Sequence, residues 1–442
     1  MNSAATKAMS WGRYPRVTQN VVRMTDRHAP LPLPAEGSVL PYGLGRSYGD
    51  SCLNGGGTLI ETRALRRFIS FDRQTGEIAC EAGVSLADII EVALPHGWFL
   101  PVTPGTKFVT LGGAIANDVH GKNHHRAGSI GRHVRSFELL RSDGSRLLCS
   151  PWENADQFAA TIGGLGLTGL VTQATLQLKP TASAFLGGQS IKFGGLDEFF
   201  VLSAESAASH EYVVSWIDCL GRGETFGRGH FLRANVLDAE EARGLKAGRP
   251  LPLAVPITPP ISLINGLSLK AFNAAYYNRQ RAHIVEKVWS LDAFHYPLDA
   301  IANWNRIYGP KGFLQYQAVV PTRDQRDVSE ALLAEISRSG QGSFLVVLKV
   351  FGDHLSPGLL SFPMPGTTLA LDFPIKGEAT FALLDRLDAI VMEAGGRIYP
   401  AKDARMSPAC FMRGYPQLET FRKFVDPRMS SSFARRVMEN VR

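Results

Sequence analysis

Three glycine-rich stretches carry the residue types best suited to chemistry. Pro41-Tyr42-Gly43-Leu44-Gly45-Arg46-Ser47-Tyr48-Gly49-Asp50 packs three glycines and small polar groups between strand-like runs. Successive backbone N–H groups in such a loop form a concave nest that can hold a pyrophosphate. Pro104-Gly105-Thr106 follows, then Leu111-Gly112-Gly113-Ala114-Ile115-Ala116-Asn117-Asp118-Val119-His120-Gly121-Lys122-Asn123-His124-His125. The third stretch, Gly164-Leu165-Gly166-Leu167-Thr168-Gly169, spells G-x-G-x-x-G. A Rossmann reading needs a strand before that motif and a helix after it. Here Asn154–Ile162 has a helical pattern and Leu170–Leu178 a strand pattern, so the order is reversed and the reading fails. The glycines instead let backbone pass close to something flat or phosphorylated. His120 and His124 are spaced as zinc ligands on a helix would be. Gly121 and Asn123 make a regular helix poor there and Asp118 is the one carboxylate close by, so no metal is expected.

The elements that position these loops can be read from periodicity. Thr58–Glu61 and Glu77–Glu81 read as strands, with turn residues at Asp72–Gly76 between them. Leu86, Ile89, Ile90 and Ala93 fall at helical spacing, Ser85 is a candidate N-cap, and Pro95–Gly97 stops the run. Ser136–Arg141 and Ser145–Cys149 suggest a hairpin around a two-residue Asp143-Gly144 turn. Thr172–Lys179 alternates, with Ala174, Leu176 and Leu178 on one side. After Pro180 glycines thin out and aromatics increase. Phe313–Val320 and Ser343–Val350 are strand candidates, and Ala379–Ala394 is an amphipathic helix ending at Gly395-Gly396. Gly244–Ser268 is proline-rich and aperiodic, which suggests a mobile lid or a surface that meets an apolar partner.

A chain of 442 residues is too long for one core, so two or three domains are expected. No run of about 18 apolar residues is free of charge and proline, and no signal-like leader is evident, so the chain is expected in the cytoplasm. Five scattered cysteines, none in C-x-x-C spacing, argue for reduced thiols. The net charge of +7 favours anionic ligands or a weak association with an anionic membrane surface. Without a dense basic stripe interleaved with aromatics, nucleic acid is not an expected partner.

Taken in order, P-x-G-x-G-R-S-Y-G-D, T-P-G-T, L-G-G-A-I-A-N-D-V-H-G-K-N-H-H and G-G-L-G-L-T-G-L-V resemble the vanillyl-alcohol oxidase/p-cresol methylhydroxylase-type FAD-binding fold. Within that superfamily the chain resembles the decaprenylphosphoryl-β-D-ribose 2′-oxidases, the flavoprotein half of a cell-wall epimerase. Gly312–Gln317, Leu348–Gly352, Leu371–Ile375 and Gly395–Asp403 extend the likeness over nearly the whole chain. The resemblance implies an α+β protein: an FAD-binding domain over residues 1–180, a substrate domain on an antiparallel sheet over 181–395, and a segment, 396–442, returning to the FAD domain and active site. It implies FAD contacts at Gly43, Gly45, Arg46, Ser47, Tyr48, Gly49, Gly105, Thr106, Gly112, Gly113, Asn117, Gly121, Asn123, Val171 and Tyr399. Some superfamily members attach flavin through a histidine of the first loop; this loop has neither His nor Cys, so non-covalent FAD is expected.

By the same resemblance, Lys402 and His120 are the catalytic candidates. Lys122, Tyr308, Gln315, Gln317, Lys349 and Ala370 would line the substrate pocket, and hydrogen-bonded structural roles suit His124 and His125. The mycobacterial enzymes carry a cysteine where this chain has Ala370, so sensitivity to thiol-reactive inhibitors of that class should be absent or changed. The implied reaction oxidises the 2′-hydroxyl of a polyprenyl-phosphoryl pentose to a ketone, with quinone or oxygen as final acceptor. An NAD(P)H ketoreductase of the short-chain type would complete the epimerisation, and peripheral contact with the inner membrane face would suit the substrate. Alternatives are an aldonolactone or alditol oxidase acting on a small sugar with oxygen, and a flavin-binding scaffold without turnover.

Overall fold

The architecture comes from a computed structural model describing residues 8–248 and 253–439. The first part of the chain builds two small sheets and a two-stranded ribbon that pairs Trp98–Phe99 with Lys179–Pro180. In the parallel one, Thr58–Glu61, wholly buried, lies between Asn20–Arg23 and Val39–Tyr42. The antiparallel one runs Phe68–Phe71, Glu77–Glu81, Leu170–Gln177, Val134–Leu140, Arg146–Cys149. Along Leu170–Gln177, Thr172, Ala174 and Leu176 are buried while Gln173, Thr175 and Gln177 are not, the alternation of a strand with one face on a core. Helix Leu86–Ala93 starts at the expected cap: Ser85 Oγ accepts from Asp88 N, and the Asp88 carboxylate accepts from Ser85 N.

Two local expectations are corrected. The Asp72–Gly76 turn joins Glu77–Glu81 to Phe68–Phe71, a mostly exposed edge strand, and not to Thr58–Glu61, which belongs to the other sheet. The Val134–Cys149 hairpin closes through Ser142, Asp143 and Gly144, not through two residues: Leu140 pairs with Arg146, Arg141 N donates to Ser145 O, and Gly144 sits at φ +86°. A glycine in that left-handed position closes a three-residue loop with a bulge.

The second part is one eight-stranded antiparallel sheet ordered Ile284–Ser290, Phe185–Phe193, Gly229–Val236, Tyr212–Ile217, Val346–Phe351, Gly366–Pro374, Phe313–Pro321, Arg397–Ile398. Its apolar face, including Phe231, Ile217, Leu348, Leu369, Leu371, Phe373 and Leu314, is buried with residues of helices Leu196–Ala207, Gln325–Ser339 and Glu378–Glu393. Each large side chain so buried contributes about 1.5–3 kcal/mol. The opposite face turns toward the first part of the chain, where Tyr212, Val214 and Ala234 share a core with Phe99, Ile115 and Val119. The site lies on this face, between the two halves.

After Gly395 (φ +72°) ends its helix, the chain crosses back. Gly55 N donates to Ser432 Oγ at 2.9 Å and Arg435 donates to Asn54 Oδ1 and Gly55 O. Of the proline-rich segment, residues 249–252 lie outside the described residues. The remainder is a tethered strap and not a structureless loop. Leu253–Ala254 pairs in parallel with Ile301–Ala302, Arg306 donates to Val255 O and Pro256 O, and Asn265 caps helix Gly266–Asn278. No helix among the described residues is long and apolar enough to cross a membrane.

Candidate active site

The strand Val39–Tyr42 delivers the chain into the Gly43–Gly49 loop. Gly45 takes φ +61°, and the N–H groups of Gly43 through Ser47 donate to no group among the described residues. Five adjacent donors without acceptors, beside the buried and unpartnered Nε of Arg46, are a strong incentive to bind an anion. The Arg46 guanidinium lies 4.1 Å over the Trp11 ring. The short helix Leu111–Ala116 does not add to this nest: Leu111 N and Gly112 N donate to Val84 O and Ala82 O, and Gly113 N to Thr110 Oγ1. Gly105 faces open space, with nothing within 4 Å of a built Cβ. Gly121 lies close enough to Thr103 that a Cβ would sit 2.8 Å from its carbonyl oxygen. Asn117 and Asn123 are held by their side chains, through Gly113 O and Pro101 O, and Val171 is buried on its strand opposite Leu139. Thr106 Oγ1 accepts from Phe108 N. The free amides, the orphaned guanidinium nitrogen and the open cradle fit a group carrying a pyrophosphate.

Three central strands supply the other wall. Gln317 pairs with Ala370 and Gln315 with Asp372, while Ala370 pairs with Val347 and Thr368 with Lys349. Side chains two apart share a face, so Gln315, Gln317, Lys349, Thr368, Ala370 and Asp372 project together. Gln317 Nε2 donates to His120 Nε2 at 3.0 Å and reaches Thr368 Oγ1 at 3.3 Å. That leaves the neutral imidazole's proton on Nδ1, which is buried without a partner. The His120 ring is packed among Phe351, Phe362 and Tyr399, and Tyr399 donates to Asn117 O at 2.8 Å. Lys349 Nζ donates to Gly121 O at 3.3 Å, and Lys122 Nζ to Phe294 O and His295 O. Tyr308 stands behind this wall: its ring stacks on Phe313 and its hydroxyl donates to Asp372 at 3.1 Å.

Lys402 enters from the return segment. Its turn is pinned on both sides, by Tyr399 N to Gln317 O and by Tyr48 N to Ala401 O, and its Nζ lies 3.9 Å over the Tyr48 ring. Burial lowers the Lys402 amine to about 7, against an opposing pull from Asp372 and with help from Lys349. Burial and Lys349 together take Lys122 to about 7, and burial alone takes Lys349 to about 8. Burial also raises Asp372 to about 6, although Gln315 and Tyr308 hydrogen-bond it. Burial, reinforced by the neighbouring Lys349, holds His120 far below its ordinary range, so it is neutral near pH 7. A cleft with three amines poised near neutrality can take up a proton and attract a phosphorylated ligand.

Sequence reasoning did not single out Asp372, Thr368, Phe351 or Phe362. Period-two spacing from Ala370 could have flagged Thr368 and Asp372; the aromatics carry no sequence signal beyond hydrophobicity. His124 departs from its expected hydrogen-bonded role: it is buried with neither ring nitrogen bonded, its ring 4.4 Å from that of Phe351. His125 does bond, through Nε2 and His210 O at 3.0 Å.

The FAD binding domain family matches residues 33–150. The chain is 39% identical over 450 residues to the decaprenylphosphoryl-β-D-ribose oxidase of Mycolicibacterium smegmatis, an alignment covering 98% of this chain and 97% of that protein. Shorter similarities reach the L-gulonolactone oxidase of Mus musculus, 32% over 126 residues and 28% of each chain. The alditol oxidase of a Streptomyces species is 30% identical over 135 residues, 30% of this chain and 31% of that one. The last two alignments cover less than a third of this chain, whereas the first covers nearly all of it and so takes in both walls of the cleft. The chain therefore belongs to the decaprenylphosphoryl-β-D-ribose oxidase family, FAD-dependent oxidoreductases acting on CH–OH groups.

Proposed function

We propose that the protein oxidises the 2′-hydroxyl of a polyprenyl-phosphoryl pentose to a ketone, the first half of an epimerisation in cell-envelope glycan synthesis. The observation that carries this reading is the shared strand face, where Gln315, Gln317, Thr368 and Lys349 meet Lys402 and His120. Amide and hydroxyl groups at strand spacing suit the hydroxyls of a sugar ring, and the lysines suit its phosphate. Non-covalent FAD, cradled by Gly43–Gly49, supplies the hydride acceptor when bound. Lys402 takes the hydroxyl proton, Gln317 holds His120 in one tautomer, and Phe351, Phe362 and Tyr399 keep water from the reacting carbon. The electrons pass on to a quinone or oxygen, and a short-chain-type NAD(P)H ketoreductase consumes the ketone. Anaerobic mixing with decaprenylphosphoryl-ribose should bleach the flavin absorbance, with a rate that rises through about pH 7 as Lys402 loses its proton. Bleaching by free alditols or aldonolactones, and none by the lipid-linked sugar, would replace this reading with that of a small-sugar oxidase.

Two further expectations belong here. Acid precipitation should release all the FAD, because the cofactor loop holds no His or Cys; flavin left in the pellet would refute non-covalent binding. Gly105→Ala should leave thermal stability unchanged yet weaken FAD binding, since its Cβ would meet nothing in the protein. Equal FAD affinity in titration would remove Gly105 from the cofactor site.

The substrate's lipid suits a cytoplasmic protein that meets the inner membrane face. Ile257 and Ile261 are each 72% exposed, Leu253, Leu263 and Leu267 are exposed near them in the chain, and the strap is tethered by Arg13 and Arg306. Burial, with the charges of nearby Arg16 and Arg306 adding to it, lowers the Arg13 pKa, and none of the three arginines is ion-paired to a carboxylate among the described residues. Apolar side chains beside unpaired arginines suit an anionic lipid surface.

A further inference from the structure

The Lys402 turn has no regular secondary structure, yet the reading above asks it to present an amine at a fixed position. The next residue, Asp403, is 4% exposed, and its carboxylate accepts from Arg405 N, Met406 N and Arg436 Nη2, the last at 2.8 Å. Across the gap, Asp50 closes the cofactor loop and is also 4% exposed. It receives Arg436 Nε at 2.9 Å and the same Nη2 at 2.7 Å. Arg436 Nη1 donates to Met406 O. Two buried carboxylates, one from each loop, repel each other and share one guanidinium, whose planar fork fixes where both can lie. The gap itself is closed to the limit: a Cβ on Gly49 would stand 1.6 Å from Asp403 O.

We propose that Arg436 is a positioning residue for the oxidation: by holding Asp50 and Asp403 together it couples the cofactor loop to Lys402. The proposal rests on the reading that Lys402 handles the substrate's hydroxyl proton. It gives the return segment a function beyond closing the fold, because an arginine remote in sequence from both loops sets the distance between cofactor and base. A lysine could not replace it, having a point charge and no fork with which to bridge the two carboxylates.

The test uses the full chain loaded with FAD and reduced anaerobically by decaprenylphosphoryl-ribose across a pH series. Arg436→Gln should keep stoichiometric FAD and lose on the order of 10- to 100-fold in reduction rate, the scale of a misplaced catalytic group. The rising limb of its pH profile should move to higher pH, because a Lys402 freed from its enclosure returns toward ordinary lysine behaviour. Arg436→Lys should restore little of the rate. In a Lys402→Ala background, Arg436→Gln should cost nothing further. If Arg436→Gln yields no folded protein, Asp403→Asn carries the same prediction at several-fold magnitude. Unchanged rate and limb, or a loss that multiplies with Lys402→Ala, would overturn the proposal. A Lys402→Ala protein as fast as the parent would instead overturn the reading of Lys402, a failure recognisable without Arg436.

Discussion

Replacing Lys402 with alanine should lower the rate of flavin reduction by substrate on the order of 10²–10⁴-fold, the range for loss of a positioned proton acceptor. FAD should remain bound, because the nest of free amides at Gly43–Ser47 lies on a different loop and does not use the Lys402 side chain. The pH dependence should change with the rate. In the parent, the base is available only above about pH 7, so reduction rises through that value as Lys402 becomes neutral. In the alanine variant that limb should vanish, leaving a slow rate nearly flat between pH 6 and 9. Lys402→Arg should not rescue: arginine stays charged throughout this range and cannot accept the proton. Rapid-mixing spectrophotometry separates these outcomes, and a variant that keeps the parent's limb would assign the titration to Lys122 or Lys349 instead.

Gly49→Ala should be the most damaging single methyl in the chain. Its Cβ would meet Asp403 O at 1.6 Å, Asp403 C at 2.4 Å and Ala404 N at 2.9 Å, all backbone atoms that no rotamer change can move. Gly49 itself has φ −113°, so conformational freedom is not the reason for glycine here; close approach is. Forcing the strands of chain apart should cost 3 kcal/mol or more, at or beyond the usual upper end for overpacking. It would also separate Tyr48 N from Ala401 O, the bond that ties the cofactor loop to the Lys402 turn. Thermal denaturation should show a lowered midpoint, and a protein that still folds should hold FAD weakly. A Gly49→Ala protein with parental stability and cofactor content would mean that the two loops do not meet as described.

Much of the fold around the glycine loops is legible in the sequence because its signals are local. A left-handed Gly45, a capping Ser85 and an alternating Leu170–Gln177 each follow from residues within a few positions of one another. The Gln315/Gln317 pair was legible for the same reason, since period two settles which side chains share a face. What was not legible depends on pairing between distant segments. Period two puts Thr368 and Asp372 on the same face as Ala370, but their meeting with Gln315, Gln317 and Lys349 depends on Gly366–Pro374 lying between Phe313–Pro321 and Val346–Phe351, and no local pattern says which strands are neighbours. The Asp72–Gly76 turn points to the wrong partner strand in sequence because Phe68-Ile69-Ser70-Phe71, apolar at three of four positions yet mostly exposed, is too short to show the alternation that marks a strand. His124 was misjudged because a histidine's hydrogen bonds depend on neighbours that the sequence does not reveal. Lys122, Lys349 and Lys402 illustrate the same limit: their types are visible, but the burial that draws three amines toward neutrality is a property of the closed cleft.

The contacts from Arg435 and Arg436 back to Asn54, Gly55 and Asp50 span 380 to 386 positions of sequence. During synthesis, the glycine loop therefore leaves the ribosome long before the side chains that close it exist. The early sheets can pair as they emerge, but the cofactor loop must wait, open, for nearly the whole chain. Contacts of such separation form late, after a large loss of chain entropy. Holoenzyme assembly should consequently be a terminal event, with a nascent form that has folded sheets and no retained flavin. Ribosome-stalled chains ending before residue 430 should already resist protease over the first two sheets while failing to bind FAD.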